Sequence, residues 1–225
     1  MKTDTLVLAH GAFHGPWCWQ LLISRLEAQG VRCVAVELNQ GGLEADRAAL
    51  QREVDRLRAE GASPSAIGHS LGCPSVALLD PASVDSVIFL AGPLAGPGMP
   101  DIAGCTTPGF VETLEAQPDG RMRIKREAAD AVFYHRCTRE AADAALDQLR
   151  PTFVYGAEAT SPPIWDVIPA TYIECTDDRA VVPEFQHATA AQLPFSEQMD
   201  SDHSPMLCQP DELAAIVMRA LARAT

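Results

Sequence analysis

A mostly parallel α/β sheet with helices on both faces is the fold class this 225-residue sequence predicts, and three observations predict it. Short continuous apolar runs recur, among them Leu6-Val7-Leu8-Ala9 and Val84 to Leu90, as strands buried on both faces require. Helical patterns separate these runs, and strands alternating with helices imply parallel neighbours joined by crossovers. The third is Gly68-His69-Ser70-Leu71-Gly72, a glycine-flanked serine set between a predicted strand and a predicted helix.

Leu6 to His10 and Val31 to Glu37 read as strands, with a helical stretch from Trp17 to Gln29 between them. From Glu44 to Glu60 the residues Leu50, Val54 and Leu57 fall at i, i+4 and i+7 among charges, the pattern of an amphipathic helix lying on a sheet. A brief strand through Ala66 and Ile67 enters the glycine-flanked serine and a helix reaching Leu79, and Val84 to Leu90 is the next strand. Gly and Pro then crowd the chain from Ala91 to Pro108, which cannot extend a sheet and marks a change of unit. An alternating segment, Arg121 to Lys125, and helices around Ala128 to Arg136 and Arg139 to Leu149 follow. The α/β pattern resumes with strands at Ala170 to Cys175 and Phe195 to Met199 and helices at Pro183 to Ala191 and Asp211 to Ala222. The expectation is one domain, residues 1–225, with a cap inserted at about 94–164.

Composition narrows the function classes. Hydrophobic residues make up 47% and charged residues 21%, ordinary for a globular chain. A formal charge of −13 argues against nucleic acid and anionic membranes, which would repel it at long range; the expected partner is small. No stretch approaches the roughly 20 apolar residues of a membrane span, and the first residues run into a strand without a signal-peptide core, so the expectation is a cytoplasmic protein. The seven cysteines form no CxxC pair and their number is odd, so neither a zinc site nor a closed disulfide framework is implied. Lys and Arg are absent between Arg58 and Arg121, then seven occur from Arg121 to Arg150. The segment Arg121 to Arg126 could greet a carboxylate-bearing substrate, although such a run is more often a solvated face.

The chemistry centres on the serine. Gly68-His69-Ser70-Leu71-Gly72 matches G-x-S-x-G, the nucleophile elbow of the α/β-hydrolase fold, where a sharp strand-to-helix turn needs small flanking residues. A hydroxyl is a weak nucleophile near neutral pH, so it needs a base and the base an orienting acid, in the chain order Ser, acid, His. His203, in the loop Asp200-Ser201-Asp202-His203-Ser204-Pro205, follows the last strand and is the candidate base; His187 falls inside a helix. The acid should follow Ala170 to Cys175, where Asp177 and Asp178 compete, while Asp202 is too close in sequence to His203. His10-Gly11-Ala12-Phe13-His14-Gly15 follows the first strand, where backbone NH groups of Ala12 and, after the serine, Leu71 can face a developing oxyanion. His10 and His14 are read as structural or pocket-lining rather than as metal ligands, Trp17 and Trp19 as packing residues. Phe13, His14 and the aromatics Phe133 and Tyr134 are candidates for the pocket wall.

Four segments carry a resemblance to a known family. His10-Gly11-Ala12-Phe13-His14-Gly15-Pro16-Trp17-Cys18-Trp19 resembles the first loop of the methylesterase and hydroxynitrile lyase branch of the α/β hydrolases and their bacterial esterase relatives. Gly68 to Gly72 resembles its elbow, Tyr172 to Arg179 with Pro183 and Gln186 its acid segment, and Asp202-His203-Ser204-Pro205-Met206-Leu207 its histidine loop; Phe133 to Cys137 through Leu149-Arg150-Pro151 is similar to its cap. The resemblance makes Asp178, the aspartate just before the basic residue, the acid. Lyases of the branch carry threonine after the first-loop histidine and lysine after the catalytic one, where this chain has Gly11 and Ser204, which disfavours lyase chemistry. The chain is shorter than the plant members, so substrate size does not carry over. The implied activity is serine-dependent hydrolysis of a small-molecule carboxylic ester through an acyl-enzyme, with no cofactor or metal. The alternatives are acyl transfer or lactone opening or closure by the same residues, and a ligand receptor that keeps the hydrolase fold, against which the intact Ser, Asp and His count. An exposed apolar cap could pair subunits into a homodimer.

Overall fold

The computed structural model describes residues 4–94, 98–100, 104–156 and 163–223. In chain order come β1 (Asp4–Ala9), α1 (Gln20–Glu27), β2 (Arg32–Val36), α2 (Leu43–Ala59), β3 (Ser63–His69), α3 (Gly72–Ala77) and β4 (Val87–Leu90). A short hairpin of β5 (Leu114–Ala116) and β6 (Met122–Ile124) leads to α4 (Arg126–Phe133) and α5 (Arg139–Leu146). The last part holds β7 (Ala170–Cys175), α6 (Pro183–Ala190), β8 (Phe195–Met199), α7 (Pro205–Cys208) and α8 (Pro210–Ala222).

Six of these strands form one parallel sheet in the order β2-β1-β3-β4-β7-β8. The alternation of side chains along each strand divides the apolar residues between its faces. Leu6 and Leu8 of β1 pack with Trp19, Leu22, Leu213 and Val217 on the side of α1 and α8. Val7 and Ala9 pack with Leu50, Val54 and Val76 on the side of α2 and α3. Each such aliphatic side chain removed from water contributes about 1.5–3 kcal/mol, so both faces hold the sheet together. β3 is longer than its apolar core predicts because Ser65, buried within it, shares a 2.8 Å hydrogen bond with Ser86 just before the neighbouring strand. A satisfied hydroxyl pair can occupy a sheet interior that an unpaired one could not.

β4 and β7 are sheet neighbours, with Val87 opposite Ala170, so the chain between them is an excursion from the sheet. Its residues Ile124, Phe133, Tyr134 and Leu146 collect with Phe13 in a separate cluster, while Leu94, Ile164 and Trp165 join the sheet core. The alternating segment at 121–125 is β6, and its antiparallel partner β5 carries too short a pattern to be read in advance. No helix among the described residues is long and apolar enough to cross a membrane.

Candidate active site

Ser70 stands on the turn between β3 and α3 with φ of 50°. That left-handed conformation costs a non-glycine residue of order 1–3 kcal/mol and persists only where the surroundings over-determine it. Here they do: Ser70 NH donates to Leu90 O at 2.9 Å, and Cys73 NH donates to Ser70 O at 3.0 Å. A Cβ on Gly72 would lie 2.6 Å from Ala9 O, and one on Gly68 2.8 Å from Cys73 Cα, so neither flanking position admits a side chain. The turn therefore lifts the hydroxyl above the carboxyl end of the sheet, where it is half-buried.

The loop before α7 brings His203 to the same place. Its Nδ1–H donates to Asp178 Oδ2 at 2.7 Å. A carboxylate only accepts, so Nδ1 carries the proton and Nε2 keeps a lone pair. Asp178 is 4% exposed and fully supplied with donors: Ala180 NH at 2.7 Å and Val181 NH at 3.0 Å on Oδ1, and Gln186 Nε2 at 2.7 Å beside His203 on Oδ2. Gln186 is held in turn by Cys175 NH, which donates to its Oε1 at 2.9 Å. Asp177 points the other way, accepting from His135 Nε2 at 3.1 Å. Asp202 serves the loop itself: Ser204 NH and Arg136 NH each donate to it at 3.0 Å, as does the Cys208 thiol at 3.0 Å. His69 Nε2–H donates to His203 O at 2.8 Å, and burial pushes the His69 imidazole well below its usual basicity. His187 lies on α6 and pairs with Glu174.

The loop after β1 completes the surroundings. Phe13 also has a positive φ, 65°, and is pinned on both sides: its NH donates to Thr152 Oγ1 at 2.8 Å and its carbonyl accepts from Arg150 NH at 3.0 Å. His14 Nδ1–H donates to Ala12 O at 2.7 Å and its Nε2 accepts from the Tyr134 hydroxyl at 2.8 Å, while burial lowers its pKa to about 3. His10 donates from Nδ1 to Gly11 O and accepts Leu38 NH at Nε2. Both nitrogens of each ring are thus committed to hydrogen bonds. A Cβ on Gly11 would sit 2.9 Å from Ser70 Cβ.

A cavity of about 410 Å³ opens beside Ser70 and His203, with Ala12 and Leu71 at the same end and Phe13 and Phe133 in its wall. His14, expected as a wall residue, does not line it: its ring stacks on Trp17 behind the wall, and its exposure is 1%. Tyr134, likewise expected there, is turned to His14 and also lies off the lining. Residues that the sequence did not single out build the rest, including Phe110, Val111, Leu114 and Tyr155. Nor did it single out Thr152 as an anchor, since a lone threonine carries no spacing signal. Gln186 was visible only through the family resemblance. Arg121, Arg123 and Arg126 lie away from this cavity and pair with Asp119, Glu115 and Asp147. Among the described residues, the thiol and carboxyl groups close enough to share a metal ion are those of Cys137, Asp202 and Cys208, within 4.8 Å of one another and off the cavity lining.

A model of the alpha/beta hydrolase family matches residues 6–216. The chain belongs to the α/β hydrolase family. Within this hydrolase family its relatives are methylesterases and esterase-like enzymes, the branch that the four segments resemble. Norfluorocurarine synthase 1 of Strychnos nux-vomica is 26% identical over 250 residues, covering 94% of this chain and 93% of that protein. Methylesterase 2 of Arabidopsis thaliana is 27% identical over 254 residues, covering 95% and 94%. The crystal structure of polyneuridine aldehyde esterase superposes with a TM-score of 0.81 at 18% identity, over 97% of this chain and 99% of that one, a likeness of fold.

Proposed function

We propose that this α/β hydrolase is a serine-dependent carboxylic-ester hydrolase acting on a small-molecule ester through an acyl-enzyme intermediate. Ser70 attacks the ester carbonyl while His203 Nε2 takes its proton. His203 then returns that proton to the leaving alcohol, and by the same route activates the water that releases the acid. Asp178 fixes the imidazole tautomer and stabilises the imidazolium that forms. The NH groups of Ala12 and Leu71 receive the oxyanion, worth several kcal/mol in sites of this kind. The observation that carries the reading is the 2.7 Å contact of His203 Nδ1 with Asp178, on a histidine that shares one cavity with a strained, glycine-flanked serine.

The excursion between β4 and β7 serves as the cap of this site, and no metal or cofactor takes part in the proposed steps. Hydroxynitrile lyase chemistry is disfavoured because the space beside Ser70 that a side chain at position 11 would need is filled by Ser70 Cβ and His69. The test is labelling with a fluorophosphonate probe and turnover of p-nitrophenyl esters by the wild type beside Ser70→Ala and His203→Ala. Labelling and turnover confined to the wild type are expected. A folded wild type that neither labels nor turns over would sink the proposal, and ester products formed with added alcohols would redirect it to acyl transfer.

A further inference from the structure

We infer that the ester taken at Ser70 is apolar beyond its ester group, and that esters carrying a carboxylate on either half are rejected. The inference rests on the hydrolase reading above and names its substrate class. Two stretches of the sequence, 59–120 and 151–178, contain no Lys or Arg. These same stretches supply most of the cavity: Pro74, Phe110, Val111 and Leu114 come from the first, Val154 and Tyr155 from the second. Among the described residues, none that lines the cavity is Asp, Glu, Lys or Arg. Residues 95–97, 101–103 and 157–162 also belong to these cation-free stretches of the sequence.

A carboxylate on the substrate would therefore enter without a partner, and an unpaired charge taken out of water costs several kcal/mol. The Tyr155 hydroxyl donates to Asp46 at 2.8 Å, and the arginines of the 121–126 segment are paired with carboxylates elsewhere. The net charge of −13 repels anions before they arrive. Phe13 and Phe110 flank Phe133 with ring centroids 6.3 and 6.2 Å away, a surface suited to aliphatic or aryl groups. At about 410 Å³ the space is near the small end of ligand sites, which run about 300–1,000 Å³, so the fitting ester is compact.

The experiment uses two p-nitrophenyl esters of equal acyl length, ending in a methyl or a carboxylate group, together with the neutral series from acetate to hexanoate. We expect kcat/KM to rise about fourfold per methylene along the neutral series, the transfer free energy of one methylene. The carboxylate-ended ester should fall at least about 100-fold below its neutral isostere, with the deficit shrinking as salt screens the repulsion. A flat neutral series or parity of the carboxylate-ended ester overturns the inference while leaving ester hydrolysis intact. Absence of turnover on every ester, with no fluorophosphonate labelling, instead removes the hydrolase reading on which it rests.

Discussion

Two regions meet at Ser70, and they are built on different physics. Around Asp178 and His203 the side chains are fixed by directional bonds: Asp178 accepts from His203, Gln186 and two backbone NH groups, all at 2.7–3.0 Å. The facing wall, with Phe110, Leu114 and Phe133, is held by apolar packing and lines the cavity with carbon. Proton transfer needs heavy atoms placed within a few tenths of an ångström, whereas selection among apolar ligands needs only area and volume. The polar side should fail all at once when altered, and the apolar side by degrees.

The largest expected effect tests the polar side directly: Ser70→Ala and His203→Ala should each lower kcat by about 10³-fold or more, read from steady-state hydrolysis, with the fold retained by circular dichroism. The neighbouring aspartates give the sharpest contrast. Asp178→Asn, which can donate to Nδ1 and reverse the tautomer, should cost about 10³–10⁴-fold in kcat. Asp177→Asn should stay within about threefold, since it touches His135 and not His203; equal losses in the two would break the assignment. On the apolar side, Phe133→Leu should raise KM for a hexanoyl ester roughly tenfold, with kcat changed little, because it removes packing area.

Smaller still is a pH effect on stability. Burial holds His14 neutral down to about pH 3 in the folded chain, while its ordinary value is 6.5. Between these values the unfolded chain binds the extra proton, so stability is full above about pH 6.5 and falls as pH drops through this window, by up to about 1.4 kcal/mol per pH unit. Burial of His69 acts in the same direction. Urea midpoints at pH 7 and pH 5 should show the loss, and a His14→Asn variant should show a shallower one; an unchanged slope would refute the attribution.

Much of this is legible in the sequence. The apolar runs Leu6 to Ala9 and Ala170 to Cys175 mark strands because a doubly covered parallel sheet leaves them no polar face. Gly68 and Gly72 announced the elbow because backbone atoms fill the space a side chain would take. The choice between Asp177 and Asp178 came from family resemblance, since the direction of adjacent loop side chains is set by the turn and by Gln186. The cavity wall was mostly illegible: Phe110, Val111 and Leu114 lie on short irregular segments whose patterns have no period. Thr152 meets Phe13 across 139 residues of chain, and no local pattern encodes such a contact.

One feature of the attachment bears on how such a protein can change. Asn39 donates to Pro151 O and accepts from Phe153 NH, each at 3.0 Å, while Asp202 accepts from Arg136 NH at 3.0 Å. In each case a side chain of the sheet-bearing part grips the main chain of the excursion, and a peptide group is the same whatever residue carries it. Mutations can therefore drift through Phe110, Val111 and Leu114, or a grafted segment can replace them, without loosening these grips. The arrangement behaves like a fixed socket with interchangeable inserts, in which new selectivities can be sampled by evolution or by an engineer while the serine, histidine and aspartate stay where they are.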